Sequence, residues 1–323
     1  MNASEFIGKY DFLNNVNGFR EITIEQTAKY LSENPQMENK IRHHFEAYEY
    51  IIDLLPYRAI NYATDKTFPI MVSKIELENS FVLCAEGFYY YAFIALRTVL
   101  ELGLLTLYFG IEKPSTDPKN NKSDSFADEF SCFSKFEEEE SELEEWLSGN
   151  KKTPWLKKMF KVIEKSTYFS DFDQAFNIKD RIRTLYDGLS KYVHARGYKY
   201  NSWYLNRSNV NHFSSKSFKS FSDKLFEVVS SLVALFLIEF PIGMRGLPLE
   251  RKFGLNSPIG GFLESYQVDT IKLILPPECV KYLEDICKKD RKTQEFIKSI
   301  ESLPDITDEE IEEQRRKLFD DLG

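Results

Sequence analysis

The groups in this 323-residue chain best suited to acid–base chemistry are four histidines, and two of them, His194 and His212, sit in a segment rich in arginine and tyrosine. His194 closes the run LYDGLSKYVHARG (185–197). On a helical projection Arg183, Asp187, Ser190 and His194 fall at i, i+4, i+7 and i+11, one polar stripe beside an apolar face. Serine, histidine and aspartate together suggest acyl transfer. Side chains stacked along one helix rarely converge as nucleophile, base and orienter, however, and no Gly-x-Ser-x-Gly elbow is present.

His194 has two readings. With Arg196 it lies in the last turn before Gly197, the expected C′ residue, where cationic groups favour the carbonyl end of a helix. Alternatively it is a catalytic group sharing a polar pocket with Arg97 and Glu101. Those two are four apart on one face of an otherwise apolar run, together with Glu86 and Tyr90. Buried, such a pair is costly and suggests function; on a solvent strip it is an ordinary intrahelical ion pair. His212 follows Arg207 after four residues in RSNVNH, a second arrangement in which histidine could move a proton while arginine stabilises a phosphorane; Arg97 and Arg183 are the other arginines available to that chemistry.

Metal chemistry has little support. His43 and His44 are adjacent, so on a helix they point about 100° apart, and the expectation is a solvated face. Cys84, Cys132, Cys279 and Cys287 show no CxxC spacing and read as free thiols of a reducing, cytoplasmic protein. No metal site and no cofactor is expected.

Charge is distributed unevenly. Between Lys179 and Lys224 ten lysines and arginines face three aspartates, +7 in a chain of net −9, so the remainder carries −16. Aromatic rings, including Tyr192 and Trp203, alternate with these bases. Cations answer phosphates and rings stack on bases, so Arg183, Lys191, Arg196, Lys199, Tyr192 and Trp203 are candidate anion-binding groups for RNA or a nucleotide. The competing reading is intramolecular: residues 111–145 hold twelve acids against four bases and could cover the basic segment.

The elements that must position these groups read as helices. A short helix is expected over 22–33 and another over 38–55, where Ile41, Phe45, Tyr48, Ile52 and Leu55 share a face before Pro56. Residues 74–109 read as one strongly apolar helix in which Gly87 and Gly103 permit close packing or a bend. An acidic arm over about 111–145, a helix with Pro154 in its first turn, a helix over 177–197, a loop over 198–218 and a buried helix over 219–240 follow. That last run contains Glu227 and Glu239 and has too short an uncharged middle to cross a bilayer, so no membrane association is expected. Residues 241–261 read as an irregular wrap and VDTIKLIL as strand or helix; two or three small helices end the chain. The fold class is all-α, a helical bundle. Its expected segments are N-terminal helices (1–73), a core bundle (74–240) and a C-terminal part (241–323).

The pairing of ALRTVLEL (95–102) with LYDGLSKYVHARG, with EWLSG (145–149) between them, resembles a loose group of bacterial helical proteins with LRxxLE and Y-x(2)-LS-x-YVH helices. The resemblance covers roughly residues 75–240 and implies a site at Arg97, Glu101, Tyr192 and His194. Such proteins are similar in outline to HEPN-like helical domains. That implies bacterial stress or antiphage defence and binding of RNA or a nucleotide. The alternatives are a metal-independent HEPN-type ribonuclease or a non-catalytic interaction subunit with a protein partner or a second copy of itself. The Arg-x(4–6)-His pattern of those ribonucleases fits Arg207 and His212 but not the YVH helix, where Arg183 precedes His194 by eleven residues.

Overall fold

Helical periodicity runs through most of the chain, and the computed structural model bears it out. It describes residues 11–55, 67–110, 140–194, 197, 200, 212–256 and 261–322. Among these, 81% are helical, in fourteen α-helices with no strand. The arm over 111–139, most of the loop 195–211, Cys132 and the side chains of Arg196, Lys199, Trp203 and Arg207 lie outside the described residues.

α1 (Asp11–Glu33) is longer than the expected 22–33. α2 (Pro35–Asp53) starts with proline at its first position, where no amide is needed, and buries Ile41, Ala47, Tyr48, Ile51 and Ile52. His44 is buried with them, contrary to the solvated face expected for it. Its Nδ1 lies 2.6 Å from the Lys40 carbonyl and its ring 4.5 Å from that of Phe226.

The run read as one helix over 74–109 is two: α3 (Phe68–Ala85) and α4 (Tyr89–Gly110), packed along each other. The chain reverses at Gly87, φ +82°, a conformation side chains other than glycine resist. A Cβ there would also stand 3.1 Å from both the His212 carbonyl and Thr23 Cγ2. Thr27 secures the reversal by donating to the Ala85 carbonyl at 2.9 Å. By length and composition α4 could cross a membrane; here 72% of its apolar window is buried against other helices.

α5 (Glu140–Leu147), α6 (Leu156–Ile163) and α7 (Phe169–Phe176) are short. Pro154 precedes α6 instead of lying in its first turn, because Trp155 is the N-cap. α8 (Ile178–Val193) follows α7 through Asn177, φ 51°, and buries Ile178, Ile182, Leu185 and Leu189 against α4. Its cap is His194; Gly197, φ +76°, comes three residues later and is not the C′ residue.

α9 (Ser215–Glu239) begins inside the stretch expected to be loop. Ser214 caps it by accepting the Ser217 amide. Its middle passes so close to α4 that a Cβ at Gly103 would stand 2.7 Å from Leu232 Cδ1. Beyond a 3₁₀ turn (Pro241–Met244) lie α10 (Leu249–Phe253), α11 (Ser265–Ile274), α12 (Pro277–Lys289), α13 (Arg291–Glu301) and α14 (Asp308–Leu322). VDTIKLIL is thus helical, and its helix packs on α2. Buried side chains from Ile41 to Ile300 join one hydrophobic cluster that includes all three expected segments.

Candidate functional site

α4 and α8 lie antiparallel, which sets Arg97 and Glu101 of α4 against the Tyr186 and Ser190 turn of α8. The Arg97 guanidinium is committed on every nitrogen. Its Nε donates to Ser190 Oγ at 3.1 Å. One terminal nitrogen donates to Glu101 Oε2 at 2.7 Å, and the other to Glu101 Oε1 at 3.4 Å and to the Tyr186 hydroxyl. Tyr186 in turn donates to Glu101 Oε1 at 3.2 Å. Both charged side chains are about four-fifths buried, at 17% and 21% exposure. Burial, and then the Glu101 carboxylate, raise the Tyr186 phenol above its ordinary value against the opposing pull of Arg97.

Arg97 and Glu101 thus meet Tyr186 and Ser190 in a polar clasp, and His194, expected to share a pocket with them, makes no bond to either. His194 is exposed at the end of α8, its amide bonded to the Ser190 carbonyl at 3.1 Å, and its ring makes no hydrogen bond or ion pair among the described residues. That is the helix-closing reading. Glu86, expected beside Arg97, pairs with Arg20 of α1. His212 leads into α9 with its backbone against Gly87, while Arg207 lies outside the described residues.

Of the candidate anion-binding groups, Lys191 and Tyr192 lie at one end of the bundle. Tyr192 stacks on Phe93 with centroids 4.3 Å apart and planes 10° from parallel, so the end of α8 meets the start of α4. The Ser214 amide donates to the Tyr89 hydroxyl at 2.9 Å, which brings the start of α9 to the same place. Tyr200 stands edge-on to Tyr192 at 5.3 Å, and the Lys191 ammonium lies 5.6 Å from the Tyr200 ring centre. Burial pushes the Tyr192 phenol up to about 12, so it stays protonated, with one face already covered by Phe93.

The bases of this segment divide into two groups. Arg183 pairs with Asp180 at 3.1 Å, Lys179 with Glu164 and Lys224 with Glu227. Arg181, Lys191, Lys216 and Lys219 are exposed and make no ion pair among the described residues. Lys216 and Lys219 occupy the first turns of α9, and Lys191 the last turn of α8.

The sequence reading passed over a second exposed cationic region. Residues 151–165 hold six lysines against Glu164 alone, around Trp155, and the run KTPWLKKMFK already carried that signal. Among the described residues, no three His, Cys, Asp or Glu side chains are grouped to hold a metal ion. Cys84, Cys279 and Cys287 are buried, which raises all three thiols, Cys279 to about 12 and Cys287 to about 11, and keeps them unreactive. Compared with family models, curated proteins and solved structures, the chain matches none.

Proposed function

We propose that this protein binds single-stranded RNA or a nucleotide at the end of the bundle where α8 gives way to α9, as a cytoplasmic protein of bacterial stress or antiphage defence with a HEPN-like outline. The defence setting rests on the resemblance of the LRxxLE and YVH helices alone. The observation that carries the binding reading is the gathering of Lys191, Lys216 and Lys219, exposed and without a carboxylate partner among the described residues, where α4 and α9 present their N-termini. Helix N-termini add partial positive charge and free amides, and phosphate answers both. Arg196, Lys199 and Arg207 stand in the sequence between α8 and α9.

Binding is favoured over cleavage by the state of Arg97. A phosphorane would need a guanidinium free to turn toward it, and Glu101, Tyr186 and Ser190 engage all three nitrogens of this one and four of its five N–H donors. The test measures anisotropy of a labelled 20-nucleotide single strand across a salt series, beside a Lys191→Gln/Lys216→Gln/Lys219→Gln variant. The reading expects affinity that falls steeply with salt, and a shallower slope in the variant. Unchanged affinity and slope in the variant would defeat it. Incubation of a mixed RNA pool without divalent metal, followed by fragment length, decides the ribonuclease alternative. Cleavage lost in His194→Ala or His212→Ala would establish an enzyme and name its proton carrier.

A further inference from the structure

We propose that Trp155 and the lysines around it form a stacking platform for single-stranded nucleic acid, at the opposite end of the bundle from the α8–α9 site and independent of it. Trp155 is 85% exposed, more than any other large hydrophobic side chain among the described residues. Trp146 shows the contrast: it packs against Phe109 and Phe68, and its indole N–H donates to Thr153 Oγ1 at 3.1 Å. The core does not use the Trp155 ring, because α6 buries Met159, Phe160 and Ile163 on its inner side.

The backbone beneath the indole is nonetheless fixed. As N-cap of α6, Trp155 accepts the amides of Lys158 and Met159 on its carbonyl, at 2.7 and 3.1 Å. The ring therefore projects from a rigid helix start, so stacking a base on it orders no backbone.

The charges around it divide cleanly. Glu142 and Glu145 hold Lys151 and Lys158, and Lys179 holds Glu164. Lys152, Lys157, Lys161 and Lys165 are exposed and make no ion pair among the described residues. An exposed indole face, with ammonium groups on the same short segment that have no ion pair among the described residues, suits a base and its flanking phosphates. A lipid surface fits less well, since an interfacial helix turns its apolar face outward and α6 turns that face into the core. An acidic peptide would satisfy the lysines but leave the indole unused. Lys158 lies over the Tyr108 ring, so α6 sits about 22 Å along α4 from Phe93 and the α8–α9 end.

The experiment titrates the full chain with labelled 20-nucleotide oligouridylate, oligodeoxythymidylate and a duplex RNA. It reads both anisotropy and quenching of tryptophan fluorescence, with phosphatidylglycerol vesicles as a separate arm. Both single strands should bind and quench, the duplex should do so weakly, and the ratio of the two single strands tells RNA from DNA preference. Trp155→Ala should weaken binding about tenfold, with Trp155→Phe restoring most of it. Lys157→Gln/Lys161→Gln should reduce the salt slope by about 1.4. Trp155 is so exposed that its variants should melt like the parent, which separates lost binding from lost folding. Equal affinity and equal quenching with and without Trp155→Ala in the triple lysine variant overturn the platform, as does a spectral response to vesicles but not to oligonucleotides. Loss in Trp155→Ala with no change in the triple lysine variant keeps the platform and removes the α8–α9 reading; the reverse removes the platform alone.

Discussion

Arg97 and Tyr186 meet in two ways at once: the guanidinium donates to the phenol oxygen, and its central carbon lies 4.6 Å from the centre of the same ring. With Glu101 and Ser190 they make a closed set in which every charge is answered within the α4–α8 interface.

Removing one member of that set should therefore cost more than removing its charges together. Arg97→Ala leaves the largely buried Glu101 without a counter-charge and should destabilise by about 2–3 kcal/mol, while Arg97→Met/Glu101→Leu should recover most of the loss. Urea melts of the single and double variants measure the difference. If R97A unfolds at the parental midpoint, the clasp contributes no stability.

Burial lowers the His44 imidazole from its ordinary 6.5 to about 4, helped by the neighbouring Lys40 and His43 charges and opposed by its bond to the Lys40 carbonyl. Because the folded value lies below the unfolded one, the unfolded chain takes up the proton first. Stability is full above pH 6.5, falls as pH drops toward 4, and levels off below that, by at most about 3 kcal/mol. Other groups titrate in the same window, so the measurement is the gap between parent and His44→Leu in urea at pH 7, 5 and 4. The gap should shift in favour of the variant as pH falls.

Gly103 touches Leu232 with no room for a methyl group. Gly103→Ala should cost about 1–3 kcal/mol through overpacking, and adding Leu232→Ala should offset part of that loss. A double-mutant cycle by thermal melting reads the coupling; strict additivity would mean that the helices simply move apart.

Tyr48 and Ser73 form a buried relay across α2, α3 and α4: the phenol donates to Ser73 Oγ at 2.6 Å, and Ser73 donates to the Val99 carbonyl at 3.0 Å. Ser73→Ala strands the phenol and should cost about 1–3 kcal/mol. Tyr48→Phe leaves Ser73 its bond to Val99 and should cost less. The two denaturation midpoints decide it, and the opposite order would mean that the phenol has another acceptor.

Periodicity of 3.6 and the choice of capping residues are local properties, and the all-α class and most helices were legible from them. The apolar face of α8 and the start of α14, where Thr307 and Glu310 exchange hydrogen bonds, could be read off directly. The break at Gly87 could not. The run from Phe81 to Phe109 is apolar on nearly every side, so reversing it shifts no visible phase, and Gly87 reads equally as a bend or as close packing until α1 and His212 are set against it.

The same division holds for the candidate sites. That Arg97 and Glu101 share a helix face, that residues 179–224 are basic and that six lysines flank Trp155 depend only on residue type and spacing, and all three can be read along the chain. What those groups meet depends on how the helices pack. Arg97 is satisfied by Tyr186 and Ser190 because α8 packs antiparallel to α4 at that register. His44 is dry because α9 lays Phe226 over it, and Trp155 is exposed because α6 turns Met159, Phe160 and Ile163 inward instead. Partners that come from distant helices leave no periodic trace in either one, so the chemistry of each group was settled by packing.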